Sequence, residues 1–261
     1  MALCAAPAGA EGQLRLCADP HNLPYSSESG AGFENRIMEL VGKAMRVRVT
    51  PVWLPQGRGY VRKTLNAGLC DVIAGVPSDF GPVRTTMPYY RSAYVFVSRA
   101  NAGEAYRTFD DPRLATAKIG VQLIGDDLAA TPPGHALAAR GLVDNVTGYA
   151  IYGERPQVQR MVDDVASGAL DVALAWGPQA GYFASRAPVP LQVAIAEAPP
   201  ELPGIPFSFS MSMGVRKGDT ALLHSLDAAL SKIRPAIDAI LTEYRIPRVD
   251  FTSSRRAEAR P

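Results

Sequence analysis

The feature that most constrains the fold of this 261-residue chain is a sequence unit that occurs twice, one hundred positions apart. In the first copy, residues 66–77, the end of a helical segment is followed by a glycine, an aspartate and a short apolar run that stops at a proline. Residues 166–178 repeat this order, but the apolar run stops at Trp176-Gly177-Pro178. The repeat predicts two similar pieces of tertiary structure in one chain.

The residues that the two copies share predict their local structure. Gly68 and Gly168 each follow an amphipathic helical segment, where glycine favours a left-handed cap. Asp71 and Asp171 each precede an apolar run that is typical of a strand buried on both faces of a parallel sheet. Two such units predict two similar lobes with a cleft between their strand ends.

Strand and helix signals alternate along the rest of the chain, as a parallel sheet with right-handed crossovers requires. We therefore predict an α/β fold with two lobes that form a hinged clamshell. Each lobe is expected to be a mainly parallel sheet flanked by helices, and the chain to cross between the lobes at two hinges. The predicted strands lie at 14–18, 47–53, 72–76, 87–97, 118–123, 145–147, 172–176, 191–195 and 207–215, and the predicted helices at 33–44, 58–65, 125–141, 156–165, 177–185 and 218–244.

The order of these segments assigns the chain to two lobes, with a proline-rich linker at 198–206 that returns from the second lobe to the first. The predicted parts are a leader at 1–12, the first lobe at 13–100, the second lobe at 101–205, the completion of the first lobe at 206–248 and a flexible tail at 249–261.

Charge and hydropathy exclude two classes of partner. The formal net charge is only +2, which gives no electrostatic case for nucleic-acid binding. No apolar run approaches the ~20 residues that a membrane-spanning helix needs. The small apolar residues that end at Ala8-Gly9-Ala10 resemble the end of a secretory signal peptide, with a flexible alanine-rich leader as the alternative. The signal-peptide interpretation predicts a periplasmic protein, which we expect to be monomeric.

Removal of such a leader would leave two cysteines, Cys17 and Cys70, an even number that suits an oxidising compartment. A bridge between them is one prediction. The other is a pair of buried free thiols, because Cys17 lies late in its strand and Cys70 just before its own. That placement risks a Cα separation beyond the roughly 7 Å limit for a disulfide.

An ordered set of short motifs runs through residues 13–246, at 17–24, 32–35, 65–72, 75–77, 85–86, 88–92, 94–96 and 176–183. The broad pattern resembles extracytoplasmic solute-binding proteins of the polar amino-acid cluster, which implies a clamshell of the type 2 periplasmic-binding-protein kind. The whole set, which includes both cysteines and the Trp-Gly-Pro segment, resembles the methanol-dehydrogenase-associated binding-protein homologues. These are the J proteins that are encoded beside quinoprotein methanol dehydrogenases.

The resemblance implies an accessory factor rather than an enzyme. Such a factor engages the periplasmic dehydrogenase, of the calcium or the lanthanide type, and helps its maturation or activation. The cytochrome c of the same system is a further candidate partner, and a small molecule or peptide is a candidate ligand of the cleft. No cofactor of the protein's own is implied.

In an open parallel sheet, ligands bind beyond the carboxyl ends of the strands. Four segments are expected there, at 19–25, 75–78, 125–127 and 176–179. Their aromatic side chains have the large area and polar tip of partner-binding hot spots, although core packing would also explain any single one. The residues predicted to line the cleft are Asp19, Asn22, Tyr25, Gln56, Arg58, Tyr60, Pro77, Ser78, Tyr89, Tyr90, Arg91, Trp176, Gly177 and Gln179.

An amino-acid receptor of this fold must pair both charges of its ligand, because unpaired buried charges are costly. In the amino-acid-binding relatives, an arginine follows the first unit and an aspartate follows the second. Arg84 lies one residue late for the first position, and Trp176-Gly177-Pro178 puts no carboxylate at the second. Amino-acid binding of that kind is therefore disfavoured.

Two other classes of function remain as alternatives to the accessory factor. One is a solute receptor that delivers a small polar or aromatic ligand to a membrane transporter. The other is an enzyme, for which Asp19 and His21 would supply acid–base chemistry. None of the three histidines has a metal-ligand partner at helical or turn spacing, so no metal site is predicted.

Overall fold

A computed structural model describes residues 12–124, 129–150 and 157–251. The predicted leader before residue 12, the predicted cleft segment 125–127 and the tail from residue 252 lie outside the described residues. The helices are α1 (Phe33–Met45), α2 (Tyr60–Lys63), α3 (Pro132–Ala139), α4 (Gln157–Ser167), α5 (Gly177–Ala184) and α6 (Thr220–Glu243). The strands are β1 (Gly12–Ala18), β2 (His21–Asn22), β3 (Ser26–Ser27), β4 (Val47–Trp53), β5 (Val72–Pro77), β6 (Arg84–Thr85), β7 (Tyr90–Arg99), β8 (Ile119–Ile124), β9 (Ala129–Ala130), β10 (Val146–Ala150), β11 (Val172–Trp176), β12 (Leu191–Ile195) and β13 (Ser208–Val215).

Eleven strands form one mixed sheet in the order β10-β8-β11-β7-β13-β5-β1-β4, and β12, β6 and β9 pair with β7, β13 and β8. Parallel pairs join β4, β1 and β5 at one end and β10, β8 and β11 at the other. Antiparallel β7 and β13 lie between these two groups. The predicted α/β fold with two parallel groups is confirmed, whereas the exact lobe boundaries stay predictions.

The two crossings between the groups lie side by side at Tyr94. Before this residue β7 pairs with β13, and from Tyr94 onward it pairs with β11. The Tyr94 N–H donates to the Phe207 carbonyl and the Tyr94 carbonyl accepts from the Ala196 N–H, each at 2.9 Å. The outgoing and returning chains are therefore bonded to each other where they cross.

Both copies of the repeated unit adopt the predicted structure. Gly68 and Gly168 have φ values of +73° and +87°, which only glycine adopts readily. The strands that follow, β5 and β11, are buried along most of their length. This burial explains their apolar composition, because helices cover both faces of a parallel sheet.

The cysteines form a disulfide with a Cα–Cα distance of 5.4 Å. β1 and β5 are parallel neighbours in which Cys17 pairs with Ile73, so Cys70 lies within reach although it precedes its strand. The predicted bridge is confirmed, and the alternative of two free thiols is wrong.

Two predicted helices are shorter than expected. The helix predicted at 58–65 is the single turn Tyr60–Lys63, which begins after Gly59 at a φ of +76°. The described part of the helix predicted at 125–141 begins only at Pro132. Proline suits the first turn of a helix, where its missing N–H would have no partner.

Candidate partner-binding cleft

Two aromatic side chains lie together at the seam, the line where the two lobes meet. The Trp176 indole lies beside the Tyr25 hydroxyl, and burial raises the pKa of that hydroxyl well above its usual value. Trp176 also packs edge-on against Tyr94 and Phe209, at centroid distances of 5.4 and 5.7 Å. Tyr25 and Trp176 were both predicted at the cleft, and the structure brings them into contact.

A second set of contacts holds α5 of the second lobe against the chain that follows α6. Tyr182 stacks on Tyr244 with 5.7 Å between centroids. A Cβ on Gly177 would lie 2.6 Å from the Ala93 carbonyl oxygen, and one on Gly181 would lie 2.3 Å from that of Arg245. Gly177 is therefore required for close packing across the seam.

The Asp19 carboxylate organises the loop that borders this seam. It accepts hydrogen bonds from the backbone N–H groups of His21 at 2.8 Å and Gln56 at 2.6 Å. The Asn22 amide donates to the Gln56 side-chain oxygen at 3.0 Å. The contact between Asp19 and His21 therefore runs through the backbone, and the exposed His21 imidazole is not the acid–base partner that the enzyme alternative needs.

Three further polar side chains from the predicted set bond within the chain. Ser78 Oγ lies 2.7 Å from Ser212 Oγ. Arg91 donates to Ser208 Oγ at 2.7 Å. Gln179 accepts from the Gln122 amide at 3.0 Å, and the Gln122 oxygen in turn accepts from the Trp176 backbone N–H. Internal hydrogen bonds thus fix the polar groups along the seam.

Tyr89 and Tyr90 lie in the core rather than on the cleft surface, with 1% and 2% of their area exposed. The Tyr89 hydroxyl accepts from the Gly75 N–H at 3.0 Å and lies 3.4 Å from a Glu34 carboxylate oxygen. Burial raises the pKa of Glu34 to about 8, although the Tyr89 hydroxyl opposes the shift.

Sequence reasoning missed Glu34 as a residue of this region. It lies in the first turn of α1 and is buried against Gly75, where a Cβ would come 2.1 Å from its Oε1. The Gly32-Phe33-Glu34 motif that follows the predicted cleft loop was the available signal.

A separate pocket of about 490 Å³ lies in the first lobe at the end of β5, and it contains Gln56, Tyr60 and Pro77 from the predicted set. We call it the β5 pocket. Arg58 is exposed next to it, and Arg62 lines it instead.

Two properties of the described residues bear on the class of protein. Within 12–124, 129–150 and 157–251, no group of three or more His, Cys, Asp or Glu side chains is placed to hold a metal ion. No helix in the same ranges is long and apolar enough to cross a membrane.

Comparison with known proteins places the chain in a family. No family model matches it. It is 36% identical over 251 residues to "Protein MoxJ" of Methylorubrum extorquens, an alignment that covers 90% of this chain and 81% of that protein.

The solved structures agree with this relative. The periplasmic binding protein XoxJ of Methylobacterium extorquens is 36% identical, with a TM-score of 0.76 over 91% of this chain and 99% of that one. An ancestral cationic amino-acid solute-binding protein has the same fold, with a TM-score of 0.68 at 20% identity over 90% of this chain and 96% of that one. The chain therefore belongs to the MoxJ family of two-lobed periplasmic-binding-protein homologues.

Proposed function

We propose that this protein is a non-enzymatic periplasmic accessory factor of a quinoprotein methanol dehydrogenase, which it binds and helps to mature or activate. Family membership supports the proposal. The motifs at 17–24 and 176–183 also resemble those of the J proteins that are encoded beside such dehydrogenases. The protein acts through contact with its partner.

The observation that carries this proposal is the internal pairing of the polar groups along the seam. A solute receptor presents unpaired donors and acceptors between its lobes, because its ligand must satisfy them when the lobes close. Here Asp19, Ser78 and Gln179 bond to groups of the chain itself. Tyr25 of the first lobe and Trp176 of the second lobe lie beside each other at the seam.

We place the partner contact on the loops that border the seam. Arg58 is exposed there, and Asn22 and Gln56 are half-buried beside it. None of the ion pairs among the described residues involves Arg58, so its charge is available to an acidic partner surface. Charges at the rim of an interface mainly set the rate and specificity of association.

The test is capture of the cognate dehydrogenase from solution by the immobilised full chain, followed by titration calorimetry. We expect saturable binding, weaker by about tenfold at low salt for Arg58→Glu. Lys232→Glu, which makes the same charge change on the exposed face of α6, serves as the matched control and is expected to bind like the unmodified chain.

Two results would contradict the proposal. No association with the dehydrogenase, combined with tight binding of a small solute that moves the lobes, would favour the transporter-receptor alternative. Equal weakening by Arg58→Glu and Lys232→Glu would show that the contact does not lie at the seam.

A further inference from the structure

The β5 pocket has features that the accessory role does not use. The segment 56–62 forms one wall, Ile73–Pro77 of β5 form the floor, and Phe80 and Pro82 close the far side. All described lining residues belong to the first lobe, and neither Tyr25 nor Trp176 is among them. Its volume is in the range of small-molecule sites, roughly 300–1,000 Å³.

The positive charge at this pocket is not neutralised by the protein. Arg62 lines the pocket, is exposed, and forms no ion pair within the described residues. Its guanidinium lies over Gly59, where a Cβ would come 3.4 Å from Nη2. The Arg62 guanidinium therefore lies beside Gly59 at the pocket wall.

Two neutral groups of the same wall can also donate hydrogen bonds. Tyr60 is 8% exposed, and its shielded hydroxyl has no hydrogen-bond partner in the described part of the chain. Such buried unpaired groups are few in native proteins and often mark a bound molecule. The Gln56 oxygen is already bonded to Asn22, which leaves the Gln56 NH₂ group for another acceptor.

Two acids lie near Tyr60, but neither is among the described residues that line the pocket. The Asp19 carboxylate is held by the backbone N–H groups of His21 and Gln56. Burial raises the pKa of Glu34 to about 8, so this carboxyl is mostly protonated at neutral pH. The guanidinium is therefore the dominant charge that a ligand would meet.

We infer that the β5 pocket binds a small organic carboxylate with an apolar body. A carboxylate only accepts hydrogen bonds and pairs well with a guanidinium. It therefore matches the donors of Arg62, Tyr60 and Gln56. The floor and far wall, with Ile73 and Phe80, suit an apolar body of ring size. The pocket shares Gln56 with the surface proposed for the partner, but binding of a carboxylate can be measured without the partner.

The test compares benzoate with benzamide, which has the same shape without the charge, by isothermal titration to the full chain. We expect saturable binding of benzoate and at least tenfold weaker binding of benzamide. Arg62→Gln should weaken benzoate binding about tenfold and Tyr60→Phe about threefold. Lys63→Gln removes the same charge from the next residue, which is exposed and does not line the pocket, and should change little.

Each failure has a distinct meaning. Absence of saturable benzoate binding would overturn the assignment, and equal binding of benzoate and benzamide would overturn the anionic class. Equal losses with Arg62→Gln and Lys63→Gln would move the interaction out of the pocket. None of these results depends on the dehydrogenase, so the partner proposal would stand or fall separately.

Discussion

Asp71 in the first unit and Asp171 in the second make the same pair of contacts. The Asp71 N–H donates to the Arg15 carbonyl at 2.8 Å, and the Arg15 N–H donates to the Asp71 carboxylate at 3.0 Å. The Asp171 N–H donates to the Lys118 carbonyl at 2.9 Å, and the Lys118 N–H returns a bond of 2.9 Å. Each aspartate thereby fixes the start of its strand against the neighbouring parallel strand.

The two units differ in the contact that residue 70 or residue 170 makes with the neighbouring parallel strand. Cys17 pairs with Ile73 in the first lobe, and the equivalent partner of Ala173 in the second lobe is Gly120. Cys17 is bonded to Cys70, whereas a Cβ on Gly120 would come 2.6 Å from the Leu170 side chain. A covalent bridge in one lobe therefore corresponds to a leucine packed over a glycine in the other.

The ends of the two strands differ as well. β5 reaches Gly75 beside the ionisable pair of Glu34 and Tyr89. β11 reaches Trp176, whose backbone bonds to the neutral amide of Gln122. The shared residues thus give β5 and β11 the same contacts at their first residues. The first lobe adds a disulfide, which responds to redox conditions, and the Glu34 carboxyl, which responds to pH.

Loss of the bridge should give the largest effect. Because Cys17 and Cys70 are 53 positions apart, the Cys17→Ala/Cys70→Ala double variant should lose about 4 kcal/mol of unfolding free energy in the chain-entropy model. Leu170→Ala, at the corresponding place in the second lobe, should lose about 3 kcal/mol through a cavity. Urea unfolding measures both. A loss below about 1 kcal/mol for the cysteine variant would contradict the comparison.

The buried acid should make stability depend on pH. The pKa of Glu34 is about 8 in the folded protein and near 4.3 when unfolded, so unfolding releases a proton between these values. The contribution of Glu34 to stability is therefore fully present below about pH 4 and is lost as pH rises to about 8. Glu34→Gln should remove about 3 kcal/mol of this decline between pH 5 and 8.

The measurement is the urea midpoint across that pH range. Glu39→Gln, at an exposed position on the same helix, should keep the full slope. An unchanged slope in Glu34→Gln would show that the carboxyl does not titrate in this window.

The glycine cap and the strand of each repeated unit could be predicted from the sequence because they depend on local chemistry. About ten residues of sequence are enough to recognise a glycine cap and an apolar strand. The structure has these features where they were expected, at Gly68, Gly168, β5 and β11. The same locality explains the correct assignment of most strands and of the two-lobed fold.

Contacts between residues far apart in the chain could not be predicted in the same way. The Tyr89 hydroxyl bonds to Gly75, fourteen residues away, and lies beside Glu34. No periodic pattern in the sequence predicts either contact. The distance between the cysteines depends on the parallel pairing of β1 with β5, which the sequence pattern does not specify. The single turn of α2 likewise follows from Gly59 rather than from the helical pattern around it.

The strand ends can be compared directly with Gly75→Ala. Gly75 has a φ of +68°, and a Cβ there would come 2.1 Å from Glu34 Oε1. We expect a loss of about 2 to 3 kcal/mol, from the left-handed conformation and from the overlap. Ala175 occupies the same position in β11, and Ala175→Gly should cost about 1 kcal/mol. Adding Glu34→Ala to Gly75→Ala should recover the steric part, and full additivity would contradict the contact.

The smallest effects should separate the two aspartates. Although burial would raise the pKa of Asp71, hydrogen bonds from Arg15 and Arg216 lower it to about 2. Its side chain is 17% exposed, whereas that of Asp171 is 42% exposed and lies 3.6 Å from Arg99. Asp71→Asn should therefore cost about 2 kcal/mol, and Asp171→Asn less than about 1 kcal/mol.

The pH dependence gives the sign of the Asp71 contribution. A lowered folded pKa stabilises the protein above the unfolded value near 3.9, and this stabilisation is lost as pH falls toward 2. The two single variants should therefore differ at pH 7 and converge below about pH 2.5, where Asp71 is largely neutral even in the unmodified chain. Equal losses for both variants at pH 7 would mean that Asp71 stabilises the first unit mainly through its backbone contacts with Arg15, which Asp171 also makes with Lys118. The side chains of Arg15 and Arg216 would then contribute little.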